Sequence, residues 1–267
     1  MFIFGTIYVD SPMKAEFMQM WIELNQKLNP EFDLLVIDSK SDRVWFNLIP
    51  GIKDIPIHVV PDGDPMPPLE RGLNWIDFPD NMGHHNQNGV DGWGRAFCRG
   101  IEYAIQHDYE YVINIECDMF FGKPAMPVLN QMDKHQLNFV STGLKYSPFP
   151  DYFMENTIMF MRTSFMRDVD FIKKYDWRKD WTKAGRAWDI PERRMETILG
   201  EEIFYKPWDG VRGHGGHAAL KNTSDVQYLD YIMHAEHTKL HPQPMELYYA
   251  FMRKYMGQDW IPPSQRQ

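Results

Sequence analysis

No run of 18 apolar residues occurs in the sequence, so no segment reads as a membrane-spanning helix. There are only two cysteines, Cys98 and Cys117, both in segments that read as regular structure. They leave no disulfide framework and no zinc set, and they suit a reducing compartment. Positive charge is in deficit: the formal net charge of -9 argues against wholesale coating of nucleic acid or an anionic membrane, and restricts either to a local basic patch. A His-Glu-x-x-His motif is missing, and His234-Ala-Glu-His237 is one residue too short for that helical zinc geometry. Residues 1–5 enter a strand-like run without the basic and apolar regions of a secretory leader, so the expectation is a soluble, cytoplasmic protein. What the chain does have is 43% hydrophobic and 15% aromatic content over 267 residues, enough for one large domain.

The organising stretch is 109–121, where a short β-branched and aromatic run reads as a buried strand that ends abruptly in two carboxylates, Glu116 and Asp118, before more apolar residues. In an extended segment side chains two apart point the same way, so both acids are expected on one side of the strand's end. Two such acids either share a divalent cation that itself holds phosphates or lie in a solvated acidic turn. Before them, 2–9 reads as a strand, 14–28 as an amphipathic helix and 33–38 as a second strand, a βαβ unit that implies a parallel sheet. Asp38 ends that second strand, where open α/β sheets bind ligands, and is either a ribose- or base-contacting acid or a turn residue. A third strand is expected over 55–60. The polar, glycine-rich 81–93 feeds a helix over 94–107 that brings Arg95 towards the sheet edge as a phosphate contact. His84 and His85 in that loop are metal ligands or simply solvated.

Strands are expected over 138–142 and 157–161 and a helix over 164–174. From Lys173 to Arg194 eight cations face four acids, interleaved with Trp177, Trp181 and Trp188. That is either a phosphate-tracking, base-stacking surface or a solvated face whose tryptophans pack inward. Glu201 and Glu202 follow Gly200 and either cap a helix or supply a general base. Residues 228–241 read as a strand running into histidines, offering His234 or His237 to a metal and Lys239 to a phosphate. The segment 245–260 is amphipathic with few cations, and docking on the domain is expected of it.

Taken together, these segments resemble the GT-A nucleotide-sugar glycosyltransferases. Asn81-Met-Gly, then residues 94–105, then Tyr111-Val-Ile-Asn-Ile-Glu-Cys-Asp118 are similar to that family's loop, helix and strand leading to its Asp-x-Asp metal motif, with Glu116 in the first position. Gly200-Glu-Glu is similar to the Gly-Glu-Asp element that carries the base in inverting members, and Met233-His-Ala-Glu-His-Thr-Lys239 resembles the late strand and loop that complete the metal site. The resemblance covers about 2–241. It implies an α/β, Rossmann-like, mainly parallel sheet in a single domain: a nucleotide-sugar-binding half over about 1–121, an acceptor side with metal completion over about 122–244, and a C-terminal helix and tail over 245–267. It further implies a Mn2+ or Mg2+ ion held by Asp118, Glu116 and His234, donor contacts from Asp38, Arg95, Glu116 and Lys239, and Glu202 with Glu201 as the catalytic acids, Glu202 taking the acceptor proton in an inverting enzyme or only orienting the acceptor in a retaining one. The donor would be a nucleotide-diphosphate sugar, uridine diphosphate sugars being commonest in the group, and the acceptor a glycan hydroxyl or a hydroxylated base in DNA. Two alternatives stand beside it. A sugar nucleotidyltransferase shares the fold but needs a glycine-rich, arginine-bearing loop after the first strand, which Thr6-Ile-Tyr-Val-Asp-Ser-Pro does not provide. A non-catalytic carbohydrate- or nucleotide-binding protein would explain the aromatics without the acids.

Overall fold

The computed structural model describes residues 1–48, 55–82, 91–145, 152–179, 191–206, 208–212, 223–233 and 244–266. Strand β1 (Phe2–Ile7), helix α1 (Pro12–Leu28) and strand β2 (Asp33–Asp38) form the expected βαβ unit, with β1 and β2 parallel. Ser11 caps α1 by accepting the Lys14 N–H, and Pro12 sits in its first turn, where no amide is missed. Next to β2 lies β4 (Leu73–Asp77), a strand the sequence reading passes over. Of the strand expected over 55–60, only β3 (His58–Val59) pairs with it, at the sheet edge.

On the other side of β1 stands β5 (Tyr111–Ile115), reached through helix α2 (Gly92–Gln106). Beyond β5 come β8 (Tyr152–Arg162), β7 (Phe139–Lys145) and β9 (Ile203–Lys206), giving the order β3-β4-β2-β1-β5-β8-β7-β9. Strand β8 runs against its neighbours and the other pairs of the sheet are parallel, so the sheet is mixed and mainly parallel, as expected.

Alternate residues of each central strand feed opposite faces. Ile3, Leu34, Val36, Ile113 and Ile115 pack with Phe17, Trp21 and Leu24 of α1 and with Phe251 of α7 (Met245–Met256). Phe2, Phe4, Leu35, Ile37 and Val112 pack with Phe97 and Ile101 of α2 and with Phe171 and Met195 beyond it. Both faces are covered, which is why these strands read as continuous apolar runs. Helix α3 (Met126–Lys134) follows strand β6 (Met119–Phe121), and the C-terminal amphipathic segment docks on the domain through α7 against α1 and β6.

Two expectations need correction. The strand within 109–121 ends at the acids, as expected, but the acids do not continue it in extended form: β5 stops at Ile115, a turn closed by the Met119 N–H on the Glu116 carbonyl (2.8 Å) follows, and β6 leaves for a second sheet. That sheet joins β6 to β11 (Tyr231–Met233), antiparallel, and β11 to β10 (Gly210–Arg212). The helix expected over 164–174 is two short ones, α4 (Thr163–Asp168) and α5 (Phe171–Tyr175), broken where Asp170 takes a left-handed φ of 52°.

Candidate functional site

Strands β1, β2, β4 and β5 end together at one edge of the sheet, and each end carries a polar group: Thr6, Asp38, Asp77 and Glu116. The acid turn closes over the end of β1 because residue 5 is glycine. A Cβ there would sit 2.6 Å from Cys117 Sγ and 2.6 Å from the Ile115 carbonyl oxygen. Glu116 is anchored on its other side by its own N–H, which donates to the Thr157 carbonyl of β8 at 3.0 Å.

The Glu116 carboxylate is buried among donors. Thr6 Oγ1 of β1 donates to Oε2, while Trp93 Nε1 of α2 (3.1 Å) and Asn114 Nδ2 (3.0 Å) donate to Oε1. Burial pushes its pKa up to about 7, against the pull of those hydrogen bonds. Asp118, two residues on, is half-buried, and its charge adds to the burial that raises the neighbouring Tyr248 phenol. The acids therefore share a turn at the carboxyl edge, with different surroundings, instead of one face of an extended strand. Strand β11 ends beside them, since Met233 pairs with Met119. Tyr8, exposed at the end of β1, has the Lys14 amine 5.6 Å from its ring centre.

The other predicted site residues have different fates. Asp38 is fully buried: it accepts the Ser41 N–H (3.0 Å) and hydroxyl and, more weakly, the Trp75 indole N–H (3.3 Å). Of its two readings, these bonds fit the turn role, because strand β4 lays Trp75 over the carboxylate. Arg95 is also buried, paired with Asp62 (2.9 Å) and Asp80 (3.0 Å) and packed on the Phe78 ring at 3.9 Å. It clips the loops around residues 62 and 80 to α2, and its guanidinium is not presented to a phosphate.

Glu201 and Glu202 lie exposed on a short 3-10 turn after Gly200, whose φ of 57° ends α6 (Pro191–Leu199); they cap no following α-helix, because strand β9 begins at once. Ile203 pairs with Phe139, Phe139 with Met161 and Met161 with Val112, so Glu202 stands at the starting edge of the sheet, where Asn138 Nδ2 holds it at 2.7 Å. Three strands sideways and a strand's length away, it is on the order of 20 Å from Glu116. The structure does not bring Glu201 or Glu202 to the acid turn.

In the basic stretch, Trp177 is buried in the core with Arg178 packed 4.1 Å from its ring centre, and Arg194 is buried in an ion pair with Asp91 at 2.9 Å. Trp177 and Arg194 are therefore structural, whereas Lys173, Lys174, Arg178, Lys179 and Arg193 are exposed. Trp181, Trp188, Lys183 and Arg186 lie outside the described residues, as do His84, His85, His234, His237 and Lys239. Among the described residues no cluster of three or more His, Cys, Asp or Glu side chains is placed to hold a metal ion. No helix among them is long and apolar enough to cross a membrane. Sequence reasoning missed Thr6, Trp93 and Asn114; Asn114 stood in plain view two residues before Glu116, whereas Thr6 and Trp93 reach it only through the fold.

No protein-family model matches the sequence and no curated protein matches it. Solved structures do match in shape. WbbM, a bifunctional glycosyltransferase, superposes with a TM-score of 0.58 at 11% identity over 97% of this chain, which spans 50% of the WbbM chain. An active-site mutant of LgtC gives 0.53 at 10% identity over 98% of this chain and 85% of that one. The galactosyltransferase LgtC in complex with donor and acceptor sugar analogs gives 0.52 at 10% identity over the same shares. With the sheet order and the second small sheet, these likenesses establish that the chain has the GT-A glycosyltransferase fold.

Proposed function

We propose that this protein is a metal-dependent glycosyltransferase that moves a sugar from a nucleotide-diphosphate sugar to a hydroxyl acceptor. The observation that carries the reading is the Glu116–Asp118 turn at the carboxyl edge of a GT-A sheet, with the end of β11 beside it. The donor set suits a hard divalent cation, Mn2+ or Mg2+. Asp118 is the half-open carboxylate, Glu116 lies beside it, and His234 follows directly on Met233, the residue paired with Met119. When bound, the metal would supply positive charge against the diphosphate leaving group.

The chain's own residues do the rest. Tyr8, exposed at the end of β1, offers a face on which a base can stack. Lys239 is a candidate for the diphosphate. The base role is not carried to Glu202, given its place at the far edge. For the acceptor we favour a glycan hydroxyl: the DNA alternative has lost Trp177 and Arg194 to the core, and LgtC, of the same fold, was solved with an acceptor sugar analog. The test is a panel of nucleotide sugars incubated with manganese or with chelator, followed by detection of released nucleoside diphosphate. Release from one donor that chelator and Asp118→Asn both abolish is the expected result. Silence across the panel, with no manganese-dependent nucleotide binding, would return the protein to the non-catalytic alternative.

A further inference from the structure

We propose that Trp93 is a positioning residue for the acid turn, holding the Glu116 carboxylate from the helix side and tying it to the buried Asp91–Tyr175–Arg194 network; this rests on the functional reading above. Two of the three donors to Glu116, Thr6 and Asn114, come from strands β1 and β5, which the sheet fixes. The third comes from the first turn of α2, and a helix end is held only by what caps it and packs on it. Here that hold is unusually complete. Asp91 Oδ1 accepts the Gly94 N–H at 2.8 Å, while its Oδ2 takes the Tyr175 hydroxyl of α5 at 2.6 Å and the Arg194 guanidinium of α6 at 2.9 Å.

Both charged partners are nearly inaccessible, at 1% and 3% side-chain exposure, so the pair holds the start of α2 in one place. Gly94 keeps the cap tight, because a Cβ there would meet Tyr175 at 2.4 Å and the Asp91 carboxylate at 2.5 Å. From that fixed turn the Trp93 indole lies flat on Phe97, with ring centres 4.9 Å apart and planes 12° apart, and Phe97 in turn packs on Phe4 of β1 and Phe171 of α5. The stack fixes the indole plane, and the plane fixes the direction of the N–H that meets Glu116. Arg194, which the sequence places on a basic surface, thus acts through Asp91 and the helix cap on the acid turn.

A hydrogen bond to a carboxylate is among the stronger ones a side chain makes once the acid is ionised, as it would be with a metal bound beside it. The test is calorimetric titration of the whole chain with manganese and each of a panel of nucleoside diphosphates, using wild type, Trp93→Phe, Glu116→Gln and the double variant. Phenylalanine keeps the stack on Phe97 and deletes the N–H. We expect Trp93→Phe to weaken manganese-dependent nucleotide binding about tenfold, with an unchanged thermal midpoint, and to add less than about twofold once residue 116 is glutamine, the signature of a coupled pair.

If Trp93→Phe unsettles the fold, the same titration on protein carrying benzothienylalanine at position 93, which replaces only the N–H with sulfur, decides the matter. Binding equal to wild type, or effects that simply add in the double variant, would overturn the role of Trp93. A wild type that shows no manganese-dependent nucleotide binding would overturn the functional reading and this one with it.

Discussion

Replacing Asp38 with asparagine makes stability independent of one titration that the structure places inside the core. The carboxyl is fully buried, and its pKa is pushed from the ordinary 3.8 up to about 7 by burial, with the Asp77 charge adding to the rise and the Ser41 hydrogen bonds opposing it. In the unfolded chain the acid ionises near 3.8; in the folded chain it keeps its proton until about 7. Between those values the folded state binds the extra proton, so stability must fall as pH rises through that window and be independent of this group above it. At about 1.4 kcal/mol for each pH unit, the loss reaches roughly 4 kcal/mol by pH 7. The asparagine amide would keep an oxygen for the Ser41 N–H and hydroxyl but would not titrate. Urea denaturation of wild type and Asp38→Asn at half-unit steps from pH 4 to 8.5 isolates the effect, because other groups cancel in the difference. The variant should gain on the wild type steadily from pH 4 to 7, and the difference should then level off. Parallel curves would refute the burial account and restore Asp38 as an open, ligand-facing acid. As Asp38 is closed off in the fold, the variant should also retain wild-type nucleotide affinity at pH 6.

Further outcomes follow from other contacts. Gly5→Ala should destabilise the fold by roughly 1–3 kcal/mol in a denaturant titration and weaken manganese binding, because the new methyl lies 2.6 Å from Cys117 Sγ and displaces the acid turn. Arg194→Ala should cost about 3–5 kcal/mol by leaving Asp91 charged and buried, but less in an Asp91→Asn background, which keeps an acceptor for the Gly94 N–H without the charge; equal losses would mean the ion pair is not the cause. Glu202→Gln should leave donor turnover within about twofold of wild type, since no transition-state contact is removed; a drop of a hundredfold would bring that acid back to the reaction centre. Asp118→Asn, in contrast, should abolish chelator-sensitive turnover.

Much of the fold is legible because its central strands are covered on both faces: 33–38 could be bounded to the residue, and α1 and α2 to within two. Strand β4 escaped because its five residues include Asn74, which bonds the Glu70 N–H and carbonyl, and because it stands between a proline-rich loop and Pro79. Its pairing with β2 is a tertiary fact that local propensity does not carry. The split of 164–174 depends on Asp170 taking a left-handed conformation, which aspartate tolerates but its identity does not announce. Gly200-Glu-Glu misled for a related reason: the same residues suit the start of a new helix and the left-handed end of the preceding one, and the sheet decided between them through β9.

The acids at the carboxyl edge show why a motif cannot name its own ligands. Asp38, Asp77, Glu116 and Asp118 all lie at the carboxyl edge of the sheet, yet their surroundings differ. Asp38 is enclosed by Ser41 and Trp75, Asp77 is paired with Arg43 at 2.6 Å and accepts the Lys40 N–H, and Glu116 is held by three donors. Asp118 alone of the four is half-open. A cation entering this edge meets enclosed carboxylates at the first three. At Asp118 it meets a carboxylate that still reaches solvent. The longer side chain of Glu116 folds back to Thr6, Asn114 and Trp93, so the first acid of the turn is the enclosed one and the second, Asp118, the one that reaches solvent.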